Sequence, residues 1–176
     1  MRAARAEAAS PAAALALMEH FPIDLALKDP IAGYWPVSTE MDPRPLMAAL
    51  AKAGRAIALP RMESRQGPAR FLAWRAEEAL KADAFGVLAP PPQSPVLQPQ
   101  LILVPLLAFD RFGNRLGQGG GHYDRILAAA RAHGAIAIGL AYSIQEMQLV
   151  PTEPHDARLD WVVTEREAIR CDGLRG

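Results

Sequence analysis

The sequence has one cysteine, Cys171, so no internal disulfide can form, which fits a reducing compartment. It has no apolar run of the roughly 18–20 residues that a membrane-spanning helix needs. The alanine-rich start carries Arg2 and Arg5, but Glu7, Ser10 and Pro11 interrupt it, and Glu19 and His20 close the apolar run 12–18. A mature helix is expected there rather than a secretion signal. Charge of one sign is also lacking, with 19 Lys and Arg against 19 Asp and Glu. That argues against a nucleic-acid or membrane partner while leaving room for one local anion site. No GK[ST] follows the glycines and no GxGxxG is present, so neither a Walker A loop nor the dinucleotide fingerprint applies. There is no internal repeat, and the only bias is toward alanine and proline. A cytoplasmic protein is expected, with residues 1–176 forming a single domain.

What is present alternates between helix and strand signals. Residues 2–20 read as a helix that restarts at Ser10-Pro11, with Ser as cap and Pro at the first position. Residues 31–36 read as a strand, Asp42-Pro43 starts a helix running to about Ala53, and residues 56–60 and 70–75 read as strands, the latter at an edge. Pro90, Pro91, Pro92, Pro95 and Pro99 exclude a helix between 89 and 99 and predict an extended connector. Residues 101–109 predict the central buried strand. A helix follows to about His133 with Gly134 beyond it, then a strand at 135–142, a capping box at Ser143 and Glu146, and a strand at 161–164. Such alternation predicts an α/β fold, three layers α/β/α around a mainly parallel sheet, with ligands beyond the carboxyl ends of the strands.

The densest chemistry follows the most apolar strand, in VPLLAFDRFGNRLGQGGGHYDR, residues 104–125. Gly117, Gly119, Gly120 and Gly121 sit between a strand and a helix start, where backbone N–H groups lack partners and the helix dipole adds positive charge. Glycines let the chain curl into a nest of donors for an anion. Arg115 adds a cationic fork suited to phosphate, and Asp124 a carboxylate suited to Mg²⁺. A flexible surface hairpin is the plain alternative. The interleaved Arg, Asp and Tyr123 favour a nucleotide or phosphate site.

The pattern P-x-x-A-F-D-x-x-G-x-R-L-G-x-G-G-G-x-Y-D-R also resembles the signature of the 5-formyltetrahydrofolate cyclo-ligase (5,10-methenyltetrahydrofolate synthetase) family. The resemblance implies a fold similar to the sugar-phosphate isomerase and CoA-transferase type. It implies an ATP-dependent ligase of one-carbon metabolism, cyclising 5-formyltetrahydrofolate to 5,10-methenyltetrahydrofolate with release of ADP and phosphate. ATP as co-substrate, Mg²⁺, and a reduced folate that can be polyglutamylated are the partners it implies, on a monomer or weak dimer. Carried over by position, Arg115 and Asp124 are catalytic. Arg2, Arg5, Arg115, Leu116, Gly117, Gln118, Gly119, Gly120, Gly121, His122 and Tyr123 contact ATP. Arg5, Trp35, Glu40, Phe85, Gln118 and His122 contact the folate, and Asp124 and Asp156, the latter after His155, hold the metal.

Three positions depart from the family pattern. Gln118 stands where an arginine or larger residue is common, and His122 where Tyr or Phe is usual. The family's N-terminal lysine would fall on Met1, with Arg2 one place off. A catalytically weakened homologue that binds folate or nucleotide is therefore the alternative. A sugar-phosphate isomerase is the third reading, for which no separate acid/base pair is visible.

Overall fold

The computed structural model describes residues 1–64, 68–153 and 156–171. Its chain opens with α1 (Arg2–Ala8) and α2 (Pro11–His20), followed by β1 (Ile31–Ala32), α3 (Arg44–Lys52), β2 (Ile57–Met62) and β3 (Ala69–Ala73). Two short hairpin strands, β4 (Lys81–Ala82) and β5 (Leu88–Ala89), precede β6 (Leu101–Pro105). Then come β7 (Ala108–Phe109), β8 (Arg115–Leu116), α4 (His122–Arg131), β9 (Ile136–Leu140), β10 (Trp161–Val163) and β11 (Ala168–Arg170).

A strand sends successive side chains to opposite faces, so a strand that is apolar at every position is covered on both. β6 meets that condition. Leu101 and Leu103 join one core with Ile31, Leu59 and Ile138, under α2 and α3 through Leu17, Leu46 and Met47. Ile102 and Val104 join the other, with Ala32, Ala137 and Val162, under α4 through Leu127. The sheet has seven strands in the order β11-β10-β9-β6-β1-β2-β3. Its central five, β10-β9-β6-β1-β2, pair in parallel, and β3 and β11 close the edges antiparallel. The expected mainly parallel three-layer α/β architecture is what forms. Among the described residues no helix is long and apolar enough to cross a membrane.

The helix breaks between α1 and α2 at Ser10, whose Oγ accepts from the Ala13 N–H at 3.2 Å, as the Ser-Pro pair predicts. The proline-rich connector is ordered against β3: Ala73 donates to the Pro95 carbonyl and Leu97 to that of Phe71, both at 2.8 Å.

Several boundaries differ from the sequence expectations. The first strand stops after Ala32, because the chain bends away past Pro36 into a turn in which Glu40 N–H donates to the Val37 carbonyl at 3.3 Å. The run 101–109 is two strands rather than one. Pro105 offers no N–H to continue the ladder, and the Gln145 amide takes the carbonyls of Leu106 and Leu107 at 2.9 and 3.0 Å. The helix at Asp42-Pro43 begins at Arg44, where Asp42 Oδ1 still accepts the Arg44 N–H at 2.9 Å. The capping box at Ser143 is also displaced. Gln145, not Glu146, reaches back to the Tyr142 N–H at 2.8 Å, while the Ser143 N–H and hydroxyl go to Glu165. β11 and the hairpin β4–β5 have no counterpart in the sequence reading.

Candidate active site

After β6 the chain does not run straight into the glycine loop. Asp110, fully buried, gathers the N–H groups of Phe112 and Asn114 at 3.0 Å, the Asn114 side-chain amide at 2.8 Å and the Val150 N–H at 2.9 Å. Four donors on one carboxylate lock a tight turn between β7 and β8. Arg115 then lies on β8 with its side chain only 4% exposed.

From there residues 117–121 run to α4, and none of their five N–H groups bonds to another described residue. Gly119 (φ 91°) and Gly121 (φ 59°) occupy left-handed backbone that a side chain disfavours. Gly121 caps α4, whose first-turn N–H groups have no partner within the helix. The result is a row of unpaired donors at a helix N-terminus, the arrangement that attracts an anion.

Around this loop lies a cavity of about 740 Å³. Arg115, Leu116, Gly117, Gln118, Gly119, Gly120, Gly121, His122, Tyr123 and Asp124 form one wall, with Glu40, Pro105, Pro151, Thr152, Glu153 and Asp156 opposite or beside them. Arg115 Nη2 pairs with Asp124 Oδ1, which also accepts the Ala157 N–H at 3.2 Å. Both contacts fall on Oδ1, and Arg115 Nε is buried with no partner among the described residues. Asp156 spends Oδ2 on the Glu153 N–H at 2.7 Å. Glu40 accepts the Val37 N–H at 2.9 Å. Burial raises the Glu40 pKa above its ordinary value of 4.5, opposed by the Val37 hydrogen bond, the charge of Arg5 and the Gln118 amide. Burial likewise pushes the Tyr123 phenol up, so it stays neutral.

Most residues singled out in the sequence thus meet in one place. Four do not line this cavity. Arg5 is buried beneath α1, donating to Thr39 Oγ1 at 3.1 Å and to the Leu106 carbonyl at 3.5 Å. Arg2 lies at the surface and reaches the loop through Gln118 Oε1 at 3.3 Å. Trp35 carries the Arg44 guanidinium over its ring at 5.2 Å. Phe85 sets its ring edge-on to His122, centroids 4.8 Å apart, and is not part of the cavity wall. His155 lies outside the described residues. The sequence reading missed Pro105, Pro151, Thr152 and Glu153 as wall residues, although Asp156 close by was in view. It also missed Arg125, whose Nη2 holds His122 Nδ1 at 2.9 Å, one turn into a helix otherwise read only for its apolar face. Among the described residues no group of three or more His, Cys, Asp or Glu forms a ready-made metal cage.

Comparison with known proteins gives one answer. A model described as the 5-formyltetrahydrofolate cyclo-ligase family matches residues 3–165. The chain is 30% identical over 157 residues to the 5-formyltetrahydrofolate cyclo-ligase of Escherichia coli K12, covering 86% of this chain and 85% of that one. It is 32% identical over 134 residues to the protein of that name from Haemophilus influenzae, covering 73% and 72%. Among solved structures, the 5,10-methenyltetrahydrofolate synthetase of Aquifex aeolicus superposes with a TM-score of 0.77 at 27% identity, over 93% of this chain and 83% of that one. A Mycoplasma pneumoniae protein of the same name shares the fold at 19% identity, with a TM-score of 0.66 over 94% and 98%. With the matched region running from α1 through β10 and enclosing the whole glycine loop, the chain belongs to the 5-formyltetrahydrofolate cyclo-ligase family.

Proposed function

We propose that this protein is an ATP-dependent 5-formyltetrahydrofolate cyclo-ligase acting as one domain, with the 740 Å³ cavity as its active site. The observation that carries the reading is the run of N–H groups at 117–121, without a partner among the described residues, beside the buried Arg115–Asp124 pair. ATP phosphorylates the N5-formyl oxygen of the substrate. N10 then attacks the activated formyl carbon, and phosphate leaves as the ring closes to 5,10-methenyltetrahydrofolate. Charge builds on the transferred phosphoryl oxygens, so positioned donors supply most of what such a transfer needs.

Each part of that requirement has a residue. The N–H groups of 117–121 and the start of α4 hold phosphate oxygens. Arg115, on the cavity wall, turns its guanidinium edge to the transferred group. Glu40 faces the pterin, whose ring N–H and amino groups suit a carboxylate acceptor. His122 and Gln118 line the same wall and contact the folate. Arg5 acts from behind, holding the Thr39–Glu40 turn in place, and Arg2 acts through Gln118. The donor set also fits Mg²⁺: Asp124 and Asp156 are hard oxygen ligands on one cavity, each with one oxygen already used and one left over. Bound there with ATP, the ion would neutralise phosphate charge.

The test is the ATP-dependent rise in methenyltetrahydrofolate absorbance when the protein meets 5-formyltetrahydrofolate, Mg²⁺ and ATP. The expected outcome is turnover that falls by about 100-fold or more in Arg115→Lys and in Asp124→Asn. Folate and ATP binding without any absorbance rise would instead establish the weakened homologue that Gln118 and His122 suggest.

A further inference from the structure

The two oxygens of the buried Asp110 carboxylate have separate tasks. Oδ1 accepts the Phe112 and Asn114 N–H groups, both at 3.0 Å, and closes the turn between β7 and β8. An asparagine oxygen would serve that turn as well. Oδ2 accepts the Asn114 side-chain amide at 2.8 Å and the Val150 N–H at 2.9 Å. Those two donors need a second acceptor oxygen, which a carboxylate has and an amide lacks. The Val150 contact joins two parts of the cavity wall. One is β8 with Arg115 and the glycine loop beyond it. The other is the segment that begins at Val150 and supplies Pro151, Thr152, Glu153 and Asp156. That segment returns to the same hairpin at Leu159, whose N–H donates to the Gly113 carbonyl at 2.8 Å. Asp110 itself is fully buried and does not line the cavity, so it acts on the site only through what it holds.

We propose that Asp110 is a positioning residue for the phosphoryl transfer: through Oδ2 it fixes the segment bearing Asp156 against the hairpin bearing Arg115. This rests on the cyclo-ligase reading. Such a transfer depends on charged groups set closely around the moving phosphoryl, and a misplacement of about 1 Å can cost on the order of 100-fold in rate. ATP binding is less exposed to the loss of the Val150 link, because the N–H groups of 117–121 and Arg115 all lie on the hairpin side of it. The carboxylate therefore has two separable effects. Its bonds within the hairpin serve ATP affinity, and its bond to Val150 serves turnover.

An exchange of partners separates the two effects. In Asp110→Asn the Oδ2 position becomes an amide, and both the Asn114 and the Val150 donors lose their acceptor. In the double variant Asp110→Asn with Asn114→Asp, amide and carboxylate change places. The bond inside the hairpin returns with its direction reversed, while the Val150 N–H still faces an amide. Calorimetric ATP affinity and kcat are measured for each in the full chain, well below the unfolding temperature. Asp110→Asn should weaken ATP binding about tenfold and lower kcat at least 30-fold. The double variant should bring ATP affinity back to within threefold of the unaltered protein and leave kcat at least tenfold low. A carboxylate that only stabilised the fold would lower the urea midpoint and leave kcat of the folded protein unchanged. Recovery of full kcat in the double variant, or a loss below threefold in Asp110→Asn, would overturn the proposal and leave the cyclo-ligase reading standing. No turnover in the unaltered protein would overturn both. If either variant fails to fold, amide exchange of the unaltered protein decides: the Val150 and Asn114 N–H groups should be protected to within tenfold of each other. Exchange at Val150 about 100-fold faster than at Asn114 would show that the two wall segments open separately, and would overturn the proposal.

Discussion

Gly120 is a glycine for a reason that lies two residues further on. Its φ is outside the left-handed region, so the backbone alone would accept a side chain. A Cβ there would instead sit 2.7 Å from His122 Cδ2 and 2.9 Å from Nε2, closer than real carbons approach. The imidazole occupies the space of the missing side chain. Gly120→Ala should therefore lower kcat/KM about tenfold by displacing His122, and adding His122→Ala should recover part of the loss. That non-additivity, on the order of 1 kcal/mol in a double-mutant cycle, is the signature of two groups competing for one volume. Glu40 allows a second prediction at this scale. Its carboxyl is raised above 4.5 by burial, so between 4.5 and the folded value the native state binds more protons than the unfolded chain. Stability then falls as pH rises through that window, and the group contributes its full cost only above it. Glu40→Gln should flatten this slope in urea unfolding at pH 4 to 7. An unchanged slope would show that the half-buried carboxylate is solvated in the native state.

Among the elements, the hairpin β7–β8 does the positioning that the sequence did not disclose. The glycines, Arg115 and Asp124 were legible because phosphate chemistry needs those residue types together, and a strand before and a helix after are local signals. The hairpin was not, because it is built by Asp110 reaching Val150, a contact of two distant segments that no periodicity encodes. The same holds for Glu40: the turn at Val37 that brings it to the cavity follows from the packing of Tyr34, whose hydroxyl donates to the Met41 carbonyl at 2.5 Å. Gly113 ties the hairpin to the segment before β10, its carbonyl accepting the Leu159 N–H at 2.8 Å. With φ at 86° and the Leu159 carbonyl oxygen where a Cβ would go, this position admits no side chain without backbone movement. Gly113→Ala combines left-handed strain with a collision against main chain. It should cost on the order of 2–4 kcal/mol in chemical unfolding and weaken ATP binding as well, since Arg115 rides on the same hairpin. Ser10→Ala, which removes one cap bond far from that loop, should cost only about 1 kcal/mol and leave ATP binding alone.

For the molecule as a whole, the parallel sheet and a candidate site beyond its carboxyl ends were legible from the alternation of strand and helix signals, while strand order was not. The order depends on which crossovers pack on which face, and that is decided by long-range contacts between α2, α3, α4 and the sheet rather than by local pattern. The outcome is two cores divided by a single layer of strands. Three tryptophans report on only one of them: Trp74 is buried in the core under α2 and α3, and Trp35 and Trp161 pack against it. Ile102 belongs to the opposite core, on the α4 side, and is 1% exposed. Ile102→Ala should cost about 2–5 kcal/mol through the lost transfer energy and the cavity left behind. If the sheet makes the two faces one cooperative unit, tryptophan fluorescence and far-ultraviolet circular dichroism will show the same lowered urea midpoint, with an unchanged slope. The fluorescence change would then occur across the sheet from the substitution, with no tryptophan near it. A fluorescence midpoint that stayed at the wild-type value while the dichroism midpoint fell would mean that the α4 face opens by itself. The glycine loop and Asp124 would then sit on a separately unfolding layer, and the one-domain proposal would fail.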